Sequence, residues 1–354
     1  MNSKFQPIIF SIILIVGILI GKNFNQKSNV STNDKINSIL NLINTHYVDS
    51  IKENFEEEVI NSIIKDLDPH TSYISTENYQ NIKESMLGGF SGIGIEFNII
   101  NDSIVVVSPI NGGPSEKLGI KSGDRIVFVD SVNVAGIGIE NNDVIKKLRG
   151  EKGTKVSVKI KRRGIAELLD FDIVRNTIPI NSVDVSIMLN DTIGFIKINR
   201  FSAKTTDEFN KAAEKLLNSG MQKLIIDLRD NPGGYLSAAV NICDKLLNKG
   251  ELIVYTQGRM RDKNEIFSRR THKLEKTKVV VLINEGSASA SEIIAGAVQD
   301  NDRGTIIGRR SFGKGLVQEE IKMNDGSAIR LTTQRYYTPS GRSIQKNYEK
   351  NNEE

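Results

Sequence analysis

One cysteine and three histidines are all that the chain holds of the residues that build disulfides and most metal centres. A single thiol, Cys243, excludes an intrachain disulfide and any multi-cysteine metal site. It recurs at helical spacing with Ala239, Ile242 and Leu246, the pattern of a buried core thiol rather than a nucleophile. His46, His70 and His272 form no HExxH pattern and no ligand cluster, which argues against a metalloenzyme. Charge of one sign is equally scarce. A net charge of +4, spread without a basic stripe or interleaved aromatics, gives nucleic acid nothing to bind. No repeat or low-complexity tract stands out. What remains is a chain of 354 residues, 38% hydrophobic and 25% charged, enough for two or three globular domains with substantial cores.

The one long apolar run lies at the N-terminus. Ile8 to Ile20 is interrupted only by Ser11 and Gly17, follows Lys4, and gives way to polar residues at Lys22. No small-x-small cleavage site follows it, so residues 1–21 are expected to form an uncleaved signal-anchor, with secretion after cleavage as the alternative. The flanking lysines do not fix its orientation. Residues 22–33 are polar and Asn/Ser-rich and read as a tether.

Helical periodicity then runs through 34–66, closes at the turn Asp68-Pro69-His70-Thr71, and resumes over 76–87 before Gly88-Gly89, giving a helical region over 34–87. Residues 88–175 change texture. Strands are expected at 93–100, 103–107, 125–129, 155–161 and 168–174, with short helices at 114–118 and 142–148, a small independent module. Its first strand opens on Gly92-Ile93-Gly94-Ile95, where backbone N–H groups could converge on a terminal carboxylate. As a dinucleotide fingerprint this stretch fails, since a third glycine and a following helix are missing. From 176 to 347 strands and helices alternate, and Asn324-Asp325-Gly326-Ser327 marks a hairpin between 316–323 and 328–337, so a layered α/β core is expected. Residues 348–354 are a polar tail.

Two segments of this core carry chemistry. Asn284 to Ala297 joins an apolar strand to a helix through small residues and offers Ser287, Ser289 and Ser291. A hydroxyl there sits at the positive end of a helix dipole, suited to developing negative charge. Ser289 with Glu292 equally fits a capping box, and the residues alone leave both readings open. The second segment, Gly308 to Gly315, resembles a phosphate loop but has Gly315 where Ser or Thr would hold Mg²⁺, and a strand rather than a helix follows. Lys314, between two glycines, is the candidate general base if burial keeps it neutral, and Gln318 on the same face could orient its amine. A Ser/His/Asp triad lacks a well-placed histidine: His272 lies in a charged stretch and His70 reads as a turn residue.

Six ordered motifs between residues 36 and 345 resemble the carboxyl-terminal processing (tail-specific) serine proteases. They are Asp68-Pro-His-Thr-Ser-Tyr73, the PDZ-like stretch from Gly92 to Arg162, Asp227-Leu-Arg-Asp-Asn-Pro-Gly-Gly234, Gly286-Ser-Ala-Ser-Ala-Ser-Glu-Ile293, Ser311-Phe-Gly-Lys-Gly-Leu-Val-Gln318, and Tyr337-Thr-Pro-Ser-Gly-Arg-Ser-Ile-Gln345. The resemblance implies a mixed α/β, ClpP/crotonase-like protease core over 176–347 with an inserted PDZ domain at 88–175. It implies Ser289 as nucleophile, Lys314 as base and Gln318 as its partner. Backbone N–H groups of Ala290, Gly233 and Gly234 would form the oxyanion hole, and Gly92, Ile93, Gly94 and Ile95 would bind the substrate carboxylate. No cofactor or metal is implied. Partners would be protein tails, the membrane through residues 1–21, and a second copy through the 34–87 helices. The location would be a bacterial envelope, with the protease on the periplasmic or outer side of the inner membrane. Relatives of this type often continue past the closing motif, whereas this sequence stops at Glu354. A membrane-tethered PDZ chaperone or scaffold without catalysis is the alternative, though it would have no need of an intact Ser/Lys/Gln set.

Overall fold

The computed structural model describes residues 32–52 and 54–347. The signal-anchor, residues 22–31 of the tether and the polar tail lie outside the described residues. Two compact units divide the chain between Ile63 and Ile64. The first holds α1 (Thr32–His46) and most of α2 (Phe55–Ile64). The expected helical stretch is thus two helices, and the first starts two residues inside the expected tether. Among the described residues no helix is long and apolar enough to cross a membrane.

The second unit opens with the turn at Asp68. Its carboxylate accepts from the N–H groups of His70 (2.8 Å) and Thr71 (2.9 Å) and from the Thr71 hydroxyl (2.6 Å), a local Asx-type closure. Strand β1 (Ser72–Ile74) and helix α3 (Thr76–Met86) follow.

A small β module begins at β2 (Gly89–Gly92) and ends at β9 (Asn176–Pro179), and these two strands pair antiparallel with Gly92 opposite Asn176. Between them lie β3 (Ile95–Ile99), β4 (Ile104–Pro109), α4 (Pro114–Lys117), β5 (Arg125–Val129), β6 (Val132–Asn133), α5 (Asn141–Leu148), β7 (Lys155–Lys161) and β8 (Leu169–Val174). Lys155–Lys161 alternates strictly, burying Val156, Val158 and Ile160, as a strand with one face on a core must. With Ile104, Val106, Ile126, Val144 and Ile173 they form a core of their own. The sheet order is β3-β4-β5-β7-β8, with β6 on β5, so β3 keeps one open edge.

The remaining chain builds the core domain. A five-stranded sheet runs β10-β11-β12-β15-β16, from β10 (Val183–Met188), β11 (Ile193–Ile198), β12 (Lys223–Asp227), β15 (Lys278–Ile283) and β16 (Gly304–Gly308). The last four are parallel, and β10 is antiparallel to β11. Buried parallel strands read as unbroken apolar runs, which is why Val279-Val280-Val281-Leu282-Ile283 is legible as a strand. The crossovers are α6 (Thr205–Asn218), α7 (Leu236–Leu246) and α8 (Ala290–Asp300). A second sheet, β1-β18-β13-β14 with β17 on β18, uses β13 (Leu252–Gly258), β14 (Arg261–Phe267), β17 (Leu316–Lys322) and β18 (Ala328–Tyr337). One apolar core joins strands β11, β12 and β15 to the three helices, to Ile253 and Val254 of β13, and to Tyr336 of β18.

Cys243 lies at the centre of that core, fully buried, and burial pushes its thiol well above the ordinary range. A thiol-specific reagent should leave the native protein unmodified and titrate one equivalent after denaturation. Rapid labelling of native protein would contradict this packing.

Candidate active site

The site forms where two strand ends of the parallel sheet meet the turn into β17. At the end of β12, Asp227 is buried and gathers Arg229, which donates from Nε (2.9 Å) and Nη2 (2.7 Å), and Lys197 at 3.6 Å. Burial alone would raise the Asp227 pKa, but the hydrogen bonds from Arg229 and the charges of Lys197 and Arg229 outweigh it and hold the carboxyl low. This fixes the start of the turn Arg229–Gly234.

Asn231, fully buried, fastens the turn on three sides. Its Nδ2 donates to the Ile198 carbonyl (2.8 Å), and its own carbonyl accepts from Ala288 N–H (3.0 Å) and from the Ser291 hydroxyl (3.0 Å). Gly233 must be glycine, for its φ is +97° and an added Cβ would lie 2.8 Å from Ser289 Cβ and 2.7 Å from the Ala288 carbonyl oxygen. The glycine turn and the serine segment are therefore in van der Waals contact.

Geometry separates the three serines. Ser287 is fully buried, and its hydroxyl donates to the Leu228 carbonyl (2.8 Å) and accepts from Asn284 N–H (2.9 Å). Ser291 is fully buried on the Asn231 carbonyl. Both are structural ties. Ser289 alone is half-buried, at φ +54° and ψ −110°, a strained conformation for a non-glycine residue at the first turn of α8. Its hydroxyl lies near the Tyr336 phenol and lowers that phenol's pKa against the larger effect of burial. Behind it, α8 leaves the Ala290 N–H without an intrahelical acceptor. Among the described residues neither that group nor the Gly234 N–H has an acceptor. The Gly233 N–H differs from expectation, being held by the Asn231 side-chain oxygen at 2.9 Å rather than left open.

Glu292 ties this turn to the segment bearing Lys314. Only 2% exposed, its carboxyl oxygens accept from four donors: Ser289 N–H (2.8 Å), the Ser311 hydroxyl (2.7 Å), Gly313 N–H (2.7 Å) and Lys314 N–H (2.9 Å). The capping box is present, and its glutamate reaches well beyond the cap. Residues 309–315 lead into β17 with no helix, as the near-miss phosphate motif requires. Glycines on either side of Lys314 let the chain press against 344–346: an added Cβ on Gly315 would come within 2.6 Å of Gln345 N, and one on Gly313 within 2.8 Å of Lys346 Cβ.

Lys314 Nζ donates to Gln318 Oε1 at 2.7 Å, and Gln318 Nε2 donates to the His70 carbonyl at 2.7 Å. A bulge at Thr333 in β18, opposite the Val317–Gln318 step, turns the strand at this point. Burial first, then the positive charge of Arg330, lowers the Lys314 pKa, against a smaller opposing pull from Asp68. His70 is itself lowered by burial and by the Lys314 charge, so it lies close to the amine without replacing it. His272 sits elsewhere, 3.4 Å from Asp244.

Tyr336 was not legible in the sequence as a site residue. It is buried, donates to the Lys314 carbonyl, and has its pKa raised by burial and by Glu292. The only available signal was its place in β18 beside the closing motif. In the β module, the Ile93 and Gly94 N–H groups have no acceptor among the described residues, and the Ile93 carbonyl is occupied by Ser115 N–H (3.1 Å) and the Ser115 hydroxyl (2.7 Å). Gly94, at φ +76°, is fixed as glycine by Ile178, whose Cδ1 would lie 2.8 Å from an added Cβ.

Fold and geometry together define a hydrolase core with a serine at a strained helix start, a half-buried lysine, and an inserted β module. The pattern of peptidase family S41 matches residues 192–352, and that of the PDZ domain matches residues 91–173. The carboxy-terminal-processing protease of Bartonella bacilliformis is 41% identical over 294 residues, covering 82% of this chain and 67% of that protein. Carboxy-terminal processing protease CtpB of Bacillus subtilis is 37% identical over 317 residues, covering 88% and 65%. A solved structure, the photosystem II D1 C-terminal processing protease, matches with a TM-score of 0.50 at 28% identity, covering 88% of this chain and 86% of that one. The chain belongs to peptidase family S41, among the carboxy-terminal processing serine proteases. It spans about two thirds of the length of the curated relatives it matches.

Two outcomes follow from the geometry. Glu292→Gln turns an amide NH₂ toward donors and should cost about 1–3 kcal/mol of unfolding free energy, read by denaturant titration. Arg330→Gln removes a cation that disfavours protonated Lys314, so the Lys314 pKa should rise. An NMR titration of the isotopically labelled lysine should show that rise, and an unmoved or lowered pKa would contradict this arrangement.

Proposed function

We propose that the chain is an endopeptidase that cuts proteins near their C-termini with Ser289 as nucleophile, Lys314 as general base and Gln318 as the residue that orients the base. One observation carries the reading: a half-buried lysine with a lowered pKa, held by a neutral amide, on a segment hydrogen bonded through Glu292 to the strained serine turn. A neutral amine can take the Ser289 proton as Oγ attacks the scissile carbonyl. Charge on the tetrahedral oxygen falls toward the Ala290 and Gly234 N–H groups at the positive end of α8. The Gly233 N–H joins them only if it leaves Asn231. The resulting ammonium of Lys314 returns its proton to the leaving amine, and water then hydrolyses the acyl-enzyme with the same lysine as base.

Substrates would be exported or misfolded proteins whose tails are captured by the PDZ module. The Ile93 and Gly94 N–H groups would receive the terminal carboxylate, and the tail would add as a strand to the open edge of β3. Residues 1–21 would hold the enzyme in the cell envelope, with its core on the outer side of the inner membrane.

With a reporter carrying a free C-terminal tail, Ser289→Ala and Lys314→Ala should each lower kcat/KM at least about 10³-fold with the fold intact by circular dichroism. Ser287→Ala and Ser291→Ala should act chiefly on stability. Retained turnover in Ser289→Ala would overturn the assignment. Amidating the tail should weaken cleavage, and equal rates on free and amidated tails would remove the PDZ module from recognition.

A further inference from the structure

A cavity of about 470 Å³ opens beside Gly233, between the C-terminal end of α3, the residues after β11 and the glycine turn. Ser85, Met86, Arg200, Phe201, Asp230 and Pro232 are among its walls. It is large enough for a side chain or two and adjoins the glycine that touches Ser289. The cavity thus lies beside the turn that contacts the serine segment.

The two charged groups of this cavity, Asp230 and Arg200, do not pair with each other. Asp230 is exposed, its Oδ1 accepts from Asn284 Nδ2 (2.8 Å), and it already faces two cations. Those cations are Arg229 and Arg309, raised in pKa first by their own partners Asp227 and Glu285 and further by Asp230. Arg200 is different. It is half-buried, and among the described residues no carboxylate lies within ion-pair distance of it. Among the described residues its one side-chain hydrogen bond is Nη1 to the Ser85 hydroxyl at 3.0 Å, a neutral acceptor. A guanidinium offers five N–H donors, so four remain for whatever enters. Half-buried cations without a partner are costly, and a planar fork of donors matches a carboxylate better than any other peptide group.

We propose that Arg200 is a specificity-determining residue that receives a substrate carboxylate close to the scissile bond. Its source is an acidic side chain near that bond or the terminal carboxylate of a short departing tail. The inference rests on the peptidase reading above and adds a preference to it. Met86 and Phe201 supply apolar walls that exclude water around the pair and strengthen it. Ser85 holds the guanidinium in place before substrate arrives.

The test uses one cleaved parent peptide with an amidated C-terminus. Asp is scanned against isosteric Asn through three positions on either side of the scissile bond, and one further member carries a free terminus. Wild-type enzyme should favour Asp at one position by on the order of tenfold or more in kcat/KM, the range of a charge-assisted hydrogen bond. Arg200→Gln should abolish that Asp/Asn ratio. Arg200→Lys should keep part of it, and Arg200→Glu should transfer the preference to Lys at the same position. If the Arg200-dependent preference appears only for the free terminus, the carboxylate is that of the tail. A ratio near one throughout in wild-type enzyme, or a preference unchanged in Arg200→Gln, overturns the proposal while leaving the peptidase intact. Absence of cleavage of every peptide by wild-type enzyme would instead strike the peptidase reading, and the preference with it.

Discussion

Everything at the site depends on the buried carboxyl group of Glu292. Four donors from two separate segments converge on its two oxygens: one from the serine turn, three from the stretch Ser311–Lys314. Neither segment is rigid by itself. The turn holds Ser289 in a left-handed conformation that costs on the order of 1–3 kcal/mol, and the lysine segment is a glycine-flanked loop. A carboxylate removed from water is tolerable only with its lone pairs filled, so its burial forces both segments to come to it. The desolvation that makes Glu292 demanding is what makes the site reproducible.

Electrostatics around the lysine follow the opposite rule. Asp227 is buried and surrounded by cations, which keeps its charge and locks the glycine turn. Lys314 is half-buried beside an amide oxygen, and partial burial and the charge of Arg330 weaken its hold on a proton. One ionisable group is stabilised as a charge and fixes the scaffold, and another is destabilised as a charge, as the proposed base requires.

Much of this was legible in the sequence because the signals were local. The apolar run 278–283, the capping pair Ser289 and Glu292, the Asn-Asp-Gly-Ser hairpin and the Lys314/Gln318 spacing all depend on residues a few positions apart. The choice among three serines did not follow from local pattern. The family resemblance points to Ser289, and its physical reason lies in the partners of Ser287 and Ser291, about sixty residues away on Leu228 and Asn231. Tyr336 and the fastening role of Asn231 were missed for the same reason. Strands β1, β2, β9, β10 and β14 went unread because they are short or exposed, as in the charged run Arg261–Phe267. The helical stretch 34–66 runs through a break in the structure that the sequence does not mark, since residues 47–54 contain neither Gly nor Pro. The Gly233 N–H was expected to be open, and the side chain two residues before it takes it up.

The paired strands β2 and β9 have a topological consequence. Because Gly92 stands opposite Asn176, the chain leaves the core and returns to it at neighbouring points. A module inserted that way adds no long loop whose closure would cost entropy, and its apolar core is separate from that of the domain that carries it. Such an insert is interchangeable: another small domain with adjacent termini could be grafted on the same ribbon without disturbing strand order in the core. Gly89, pressed 2.9 Å from the Ile178 carbonyl in the position a Cβ would take, marks the point where that ribbon is too tight to admit a side chain. Recognition and cleavage can therefore diverge at different rates in one polypeptide, joined by eight residues of hydrogen-bonded strand.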